Sequence, residues 1–150
     1  MSKLDRLREL SLLDLVMLVQ LTALSAAIAL AVRSLGWQRV SRAMTSGSGV
    51  SWLRRFPWFH LHYSIEAIEP LVEMASSMFP RNRCLVRSMT LLWLLRARGE
   101  SAEVVLGVRK VAGRFESHAW TISERRLIGD RPEAIAQFQV IASSGEPERT

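Results

Sequence analysis

Residues 82–99 read NRCLVRSMTLLWLLRARG, and residues 102–122 read AEVVLGVRKVAGRFESHAWTI. The change of pattern between them decides the fold. The first stretch predicts a helix: Asn82 suits its N-cap, Gly99 its stop, and Arg96 and Arg98 its last turn, where cations complement the helix dipole. Its middle, Met89 to Leu95, is apolar on nearly every side, which places this helix inside the domain. The second stretch predicts strands. Ala102 to Arg109 is short and rich in β-branched residues. Phe115 to Ile122 alternates, with Phe115, Ser117, Ala119 and Thr121 on one face and Glu116, His118, Trp120 and Ile122 on the other. Gly113 predicts a hairpin turn between them, and Arg126 to Ile128 and Phe138 to Ala142 predict further strands.

Upstream the pattern is helical. Leu4, Leu7, Leu10 and Leu13 recur at helical spacing. Ser11 and Asp14 are spaced as a capping box, so a long helix should start near Leu12 and stop at Gly36, after Leu35. Within it Leu15 to Val32 form an 18-residue run without charge, the lower edge of a membrane span. Gln20, Thr22 and Ser25 interrupt that run. Asp5, Glu9 and Asp14 dilute the basic start that a signal peptide needs, and no clear cleavage site follows. The expectation is a buried or interface helix in a cytoplasmic protein, with association of residues 15–32 with a membrane surface left open. Thr45 to Ser51 reads as a flexible loop. A second helix should cover Ser64 to Phe79, capped by Ser64, with Pro70 marking a kink or a restart. The tail from Ser143 should be loose. Helices first, then an antiparallel sheet, make the class α+β.

The chain has 150 residues, 49% hydrophobic and 23% charged, which suits one folded domain and excludes a disordered tail or a collagen-like repeat. A single cysteine excludes an internal disulfide. The net charge of +6 suggests an acidic partner without saying which. Arg54-Arg55, Arg81 to Arg87 and Arg125-Arg126, interleaved with Trp52, Trp58 and Phe59, motivate an alternative reading as a basic scaffold or nucleic-acid-binding protein; no nucleic-acid motif accompanies them. No phosphate loop or nucleotide fingerprint is present, and no cofactor is expected. His60 and His62 would share one side of a strand and could hold a metal, but no third ligand is nearby, so a structural or partner-facing role is expected and no metal.

The cysteine carries the chemistry. With Asn82 as cap, Cys84 occupies the second position of the buried helix. The dipole there, with Arg81, Arg83 and Arg87 nearby, should favour its thiolate. Unpaired N–H groups of the first turn could hold a developing oxyanion. A cysteine nucleophile needs a base and a group to orient it. His118, mid-strand, is the best base. Asp130 lies 12 residues on, past a turn through Glu124 and Arg125, so the two could sit on adjacent antiparallel strands.

These residues resemble a known family. The run CLVRSMTLLWLLRARGESAEVVLGVRK, then FESHAWTI, then LIGDRPE, is similar to the transglutaminase-like cysteine proteases that act as leader peptidases in lasso-peptide biosynthesis. The likeness covers about Phe79 to Ile141. It implies a papain/transglutaminase-like core at 79–142, preceded by a helical region at 1–78 and followed by a tail at 143–150. It implies Cys84 as nucleophile, His118 as general base and acid, and Asp130 as orienter. Trp120 matches the aromatic after the histidine, and Asn82 and Ser88 are candidates for lining the site. Gly129 stands where many relatives have Asn. The implied reaction removes the leader from a precursor peptide through an acyl-enzyme. A separate leader-recognition protein would grip the leader, because residues 1–78 show no strand pattern for such a module, and an ATP-dependent cyclase would close the macrolactam. The same triad could instead transfer the acyl group to an amine.

Overall fold

A computed structural model describes residues 10–46 and 55–145. The expected repeat at Leu4 and Leu7, most of the loop from Thr45 to Ser51, Trp52 and Arg54, and the end of the tail lie outside the described residues. Helix α1 spans Leu12–Leu35, α2 Trp37–Thr45, α3 Ile65–Ser76, α4 Arg83–Ala97 and α5 Pro132–Ile135. Strands β1 (Ala102–Val111), β2 (Arg114–Ser123), β3 (Arg126–Ile128) and β4 (Gln139–Ser143) form one antiparallel sheet in the order β3-β2-β1-β4. The fold is α+β, helices before sheet.

Local chemistry sets the boundaries. Ser11 Oγ accepts from the Asp14 N–H (3.1 Å), and Asp14 Oδ2 accepts from the Ser11 N–H (3.0 Å), closing the capping box that starts α1. Gly36, at φ +83°, ends it. Ser64 caps α3 by accepting from the Ala67 N–H. This helix runs unbroken through Pro70 but stops at Ser76, short of Phe79. The β1–β2 hairpin turns on Ala112 and Gly113, and the β2–β3 hairpin on Glu124 and Arg125, all four with positive φ. Two-residue turns of that hand match the twist of the strands they join.

The core joins helices and sheet. Met17, Leu21, Leu24 and Ile28 of α1, Ile68, Leu71 and Val72 of α3, and Met89, Leu91, Leu92, Leu94 and Leu95 of α4 pack with Val104, Ala119 and Ile128 of the sheet. The apolar middle of α4 is buried as its pattern requires. Helix α1 is long and apolar enough, by length and composition, to cross a membrane. One face of it lies in the core, where Ser25 Oγ and Thr90 Oγ1 make a buried contact at 3.2 Å, while Leu12, Val19 and Leu30 are exposed.

The segment before α3 departs from expectation. His60 and His62 lie on a 3-10 turn, not a strand. His60 is buried, with Nδ1 on the Pro57 carbonyl (2.7 Å), whereas His62 is exposed. Burial holds the His60 pKa below its ordinary value. No group of three or more metal-ligating side chains occurs among the described residues.

Candidate active site

Three elements converge where β3 runs out. Strand β3 pairs only with Thr121 to Ser123, so the edge of β2 at Ala119 has no strand beside it. The start of α4 stands there instead. Ser88 Oγ donates to the Ala119 carbonyl (2.9 Å), and Thr121 Oγ1 donates to the Ser88 carbonyl (3.0 Å). These two bonds fix α4 along β2 and bring Cys84, one turn before Ser88, beside His118, the residue before Ala119. Ser88 was expected to line the site; it is buried and joins helix to strand.

His118 Nε2 lies 2.9 Å from Asp130 Oδ2, leaving the other ring nitrogen for the thiol. Cys84 is half-buried; His118 beside it holds its pKa below the ordinary value against burial, which pushes it up, and the backbone of Ala119 and Leu85 adds to the lowering. His118 is raised to about 9, by hydrogen bonds to Asp130 and then to Cys84. Burial pushes the Asp130 carboxyl up, but His118 and Arg87 together hold it below its usual value. Each of the three shifts runs toward the charged form: thiolate, imidazolium, carboxylate. Because Cys84 and His118 act on each other, they titrate as a pair.

The source of the thiolate's support differs in part from the expectation. The N–H of Leu85 belongs to the first turn of α4, as the dipole argument requires. Arg83 and Arg87, however, face elsewhere. Arg83 pairs with Glu73, and Arg87 spans Glu73 Oε2 (3.2 Å, Nη1) and Asp130 Oδ2 (2.6 Å, Nη2). Their charge is directed at carboxylates, and the sulfur is served by His118 and backbone. Asn82 occupies the N-cap position without a capping hydrogen bond from its side chain, and it is exposed. Asp130 is not on a strand: β3 ends at Ile128, and Asp130 follows Gly129 in the bend before α5. Gly129 has φ +76°, and a Cβ there would come within 2.8 Å of Leu91 Cδ1, so the bend needs glycine.

Aromatic rings close the other side of His118. Trp120 is 3% exposed and stacks on the imidazole, centroids 6.2 Å apart at 28°. Phe138, just before β4, lies 5.4 Å from the imidazole, and the Arg109 guanidinium sits over its ring at 4.7 Å. Gly107, opposite His118 in β1, makes this packing fit: a Cβ there would lie 2.7 Å from Trp120 and 2.9 Å from Phe138. Nothing local marks Phe138 as a site residue, and Gly107 stands out only as a glycine inside a strand. Next to Asp130, at Gly129 and Arg87, a cleft of about 240 Å³ is lined also by Glu69, Pro70, Glu73 and Met74.

Residues 21–143 match the model of the transglutaminase-like superfamily. The chain belongs to the transglutaminase-like superfamily. No curated protein and no solved structure matches it. In this transglutaminase-like chain the order Cys84, His118, Asp130 runs from a helix start, through a strand, to the bend past the next strand. The arrangement can supply a nucleophile, a proton carrier and a fixed carboxylate to acyl chemistry.

Proposed function

We propose that this chain is a cysteine peptidase that removes the leader from a lasso-peptide precursor. The observation that carries the reading is the meeting of Cys84, His118 and Asp130 at one place, in a chain whose CLVRS, SHAW and IGD segments resemble the leader peptidases of that pathway. The thiolate of Cys84 attacks the carbonyl carbon of the leader–core amide. His118, as imidazolium, gives its proton to the departing core nitrogen as the C–N bond breaks, and a thioester to the leader remains. His118, now neutral, takes a proton from water. The hydroxide displaces the sulfur, the leader leaves as a carboxylic acid, and the thiolate–imidazolium pair is restored. Asp130 holds the ring orientation and its positive charge throughout. Trp120 and Phe138 keep water from the outer face of the imidazole.

Partners follow from the same reading. A separate leader-recognition protein presents the precursor, and a macrolactam cyclase consumes the freed core in the cytoplasm. The test is incubation of a precursor peptide with the native chain and with Cys84→Ala, each with and without the recognition protein, followed by mass spectrometry. Native protein should release core with a free amine, and Cys84→Ala should release none. A leader product carrying an added amine in place of water would instead make the chain an acyltransferase.

A further inference from the structure

We propose that Arg87 is a positioning residue for the Cys84–His118–Asp130 chemistry: braced by Glu73, its guanidinium holds Asp130 Oδ2 where that same oxygen meets His118 Nε2. This rests on Cys84 being the nucleophile, whatever acyl substrate it takes.

Asp130 has little backbone support. It stands on a bend, past the end of its strand, and the hydrogen bonds its carboxylate makes among the described residues are those to His118 and Arg87. No backbone N–H of the described residues bonds to it. Arg87 supplies the fixing. It sits on α4 three residues after Cys84, so the helix that carries the nucleophile also carries the clamp on the carboxylate. Its fork is used at both tips, Nη1 toward Glu73 and Nη2 toward Asp130. A planar guanidinium can hold both carboxylates at once, and a lysine ammonium on a flexible stem cannot hold the same geometry. The side chains of Arg87 and Asp130 are 16% and 12% exposed, which shelters the pair from the screening that weakens surface ion pairs.

The charges around Asp130 set the sign of the effect. His118 faces it from β2, Arg87 from α4, and the carboxyls of Glu69 and Glu73 lie on the α3 side. Glu69 is itself raised, chiefly by burial, and feels the Asp130 charge. Without Arg87, Arg83 still pairs with Glu73, but Asp130 confronts Glu69 and Glu73 with no helix cation bonded to it among the described residues. It then moves away or takes a proton, and either change loosens its hold on the imidazolium and, through it, on the thiolate.

The test needs no substrate. The chain has one cysteine, so the rate of alkylation by iodoacetamide against pH reports the Cys84 thiolate alone. Arg87→Met should raise the midpoint of that titration by about one pH unit, a roughly tenfold loss of thiolate on the rising limb. Asp130→Asn should raise it similarly, and the double variant should add nothing further, because Arg87 acts through Asp130. Arg87→Lys should fall between native and Arg87→Met, and Glu73→Gln should shift the midpoint the same way by less. A merely structural role would lower the fraction of protein that reacts and leave the midpoint in place; that result, or additive shifts, overturns the proposal. Should Arg87→Met fail to fold by circular dichroism, Arg87→Lys and Glu73→Gln decide, and unmoved midpoints in both overturn it. A low native midpoint that Arg87→Met raises, in a chain that cleaves no precursor, would sink the peptidase reading and leave this one standing.

Discussion

Ser88 and Ala119 are joined by a 2.9 Å hydrogen bond at the place on β2 where β3 no longer pairs. The bond closes a gap in the sheet edge with a helix, and the first turn of that helix carries Cys84. The Ala119 carbonyl takes the Ser88 hydroxyl while the Ala119 backbone helps to hold the Cys84 pKa below its ordinary value. One strand residue therefore sets both the position of the helix and part of the environment of its thiol.

Removing this link should harm the site more than the fold. Ser88→Ala leaves a buried carbonyl without its partner, at a cost of about 1–3 kcal/mol. Thermal unfolding should report a stability loss of that order. Cys84 alkylation at neutral pH should slow in the fraction that remains folded. Native-like alkylation in Ser88→Ala would show that the helix needs no such tie.

Gly107→Ala tests the ring packing over His118. The new Cβ meets Trp120 and the Phe138 Cβ inside van der Waals distance, and backbone pairing on both sides of β1 limits any retreat. The expected destabilisation is about 1–3 kcal/mol by overpacking. Near-ultraviolet circular dichroism should change as Trp120 shifts. An unchanged spectrum and unfolding midpoint would contradict the packing.

The raised His118 sets a pH window. Its contribution to stability is fully present below pH 6.5, the ordinary histidine value, and is lost as pH rises through about 9. The difference in unfolding midpoint between native protein and His118→Ala should therefore shrink across that interval. The proposed peptide cleavage, with the imidazolium as its acid, should fall over the same upper range. At the other end, Asp130 contributes above the ordinary carboxylate value and loses that contribution as pH falls through its lowered one. A stability difference that grew between pH 6.5 and 9 would contradict the ion pair.

Much of this was legible before any coordinates. The Ser11–Asp14 box and Gly36 gave the ends of α1, because capping is local chemistry written within four residues. The α4 core run, the Ala112-Gly113 turn and the Glu124-Arg125 turn were readable for the same reason. Cys84, His118 and Asp130 were reached by residue type, order and likeness to a family, and they stand together. What was not legible depended on distant contacts. Arg87 reads as one of several cations near the thiol until Asp130, 43 residues away, is seen to share an oxygen between it and His118. Phe138 reads as the start of a strand until β4 folds back beside β1 and sets it against the imidazole. Asn82 shows the limit of local rules: a good capping residue, in the capping position, leaves its side chain unused.

The central claim is that Cys84 forms a thioester with the leader. The most direct measurement is the intact mass of the protein after rapid acid quench of a reaction with precursor peptide and recognition protein. The expected result is an added mass equal to the leader less one water, located on Cys84 and released by neutral hydroxylamine. Cleaved precursor with no adduct, and undiminished cleavage by Cys84→Ala, would contradict it.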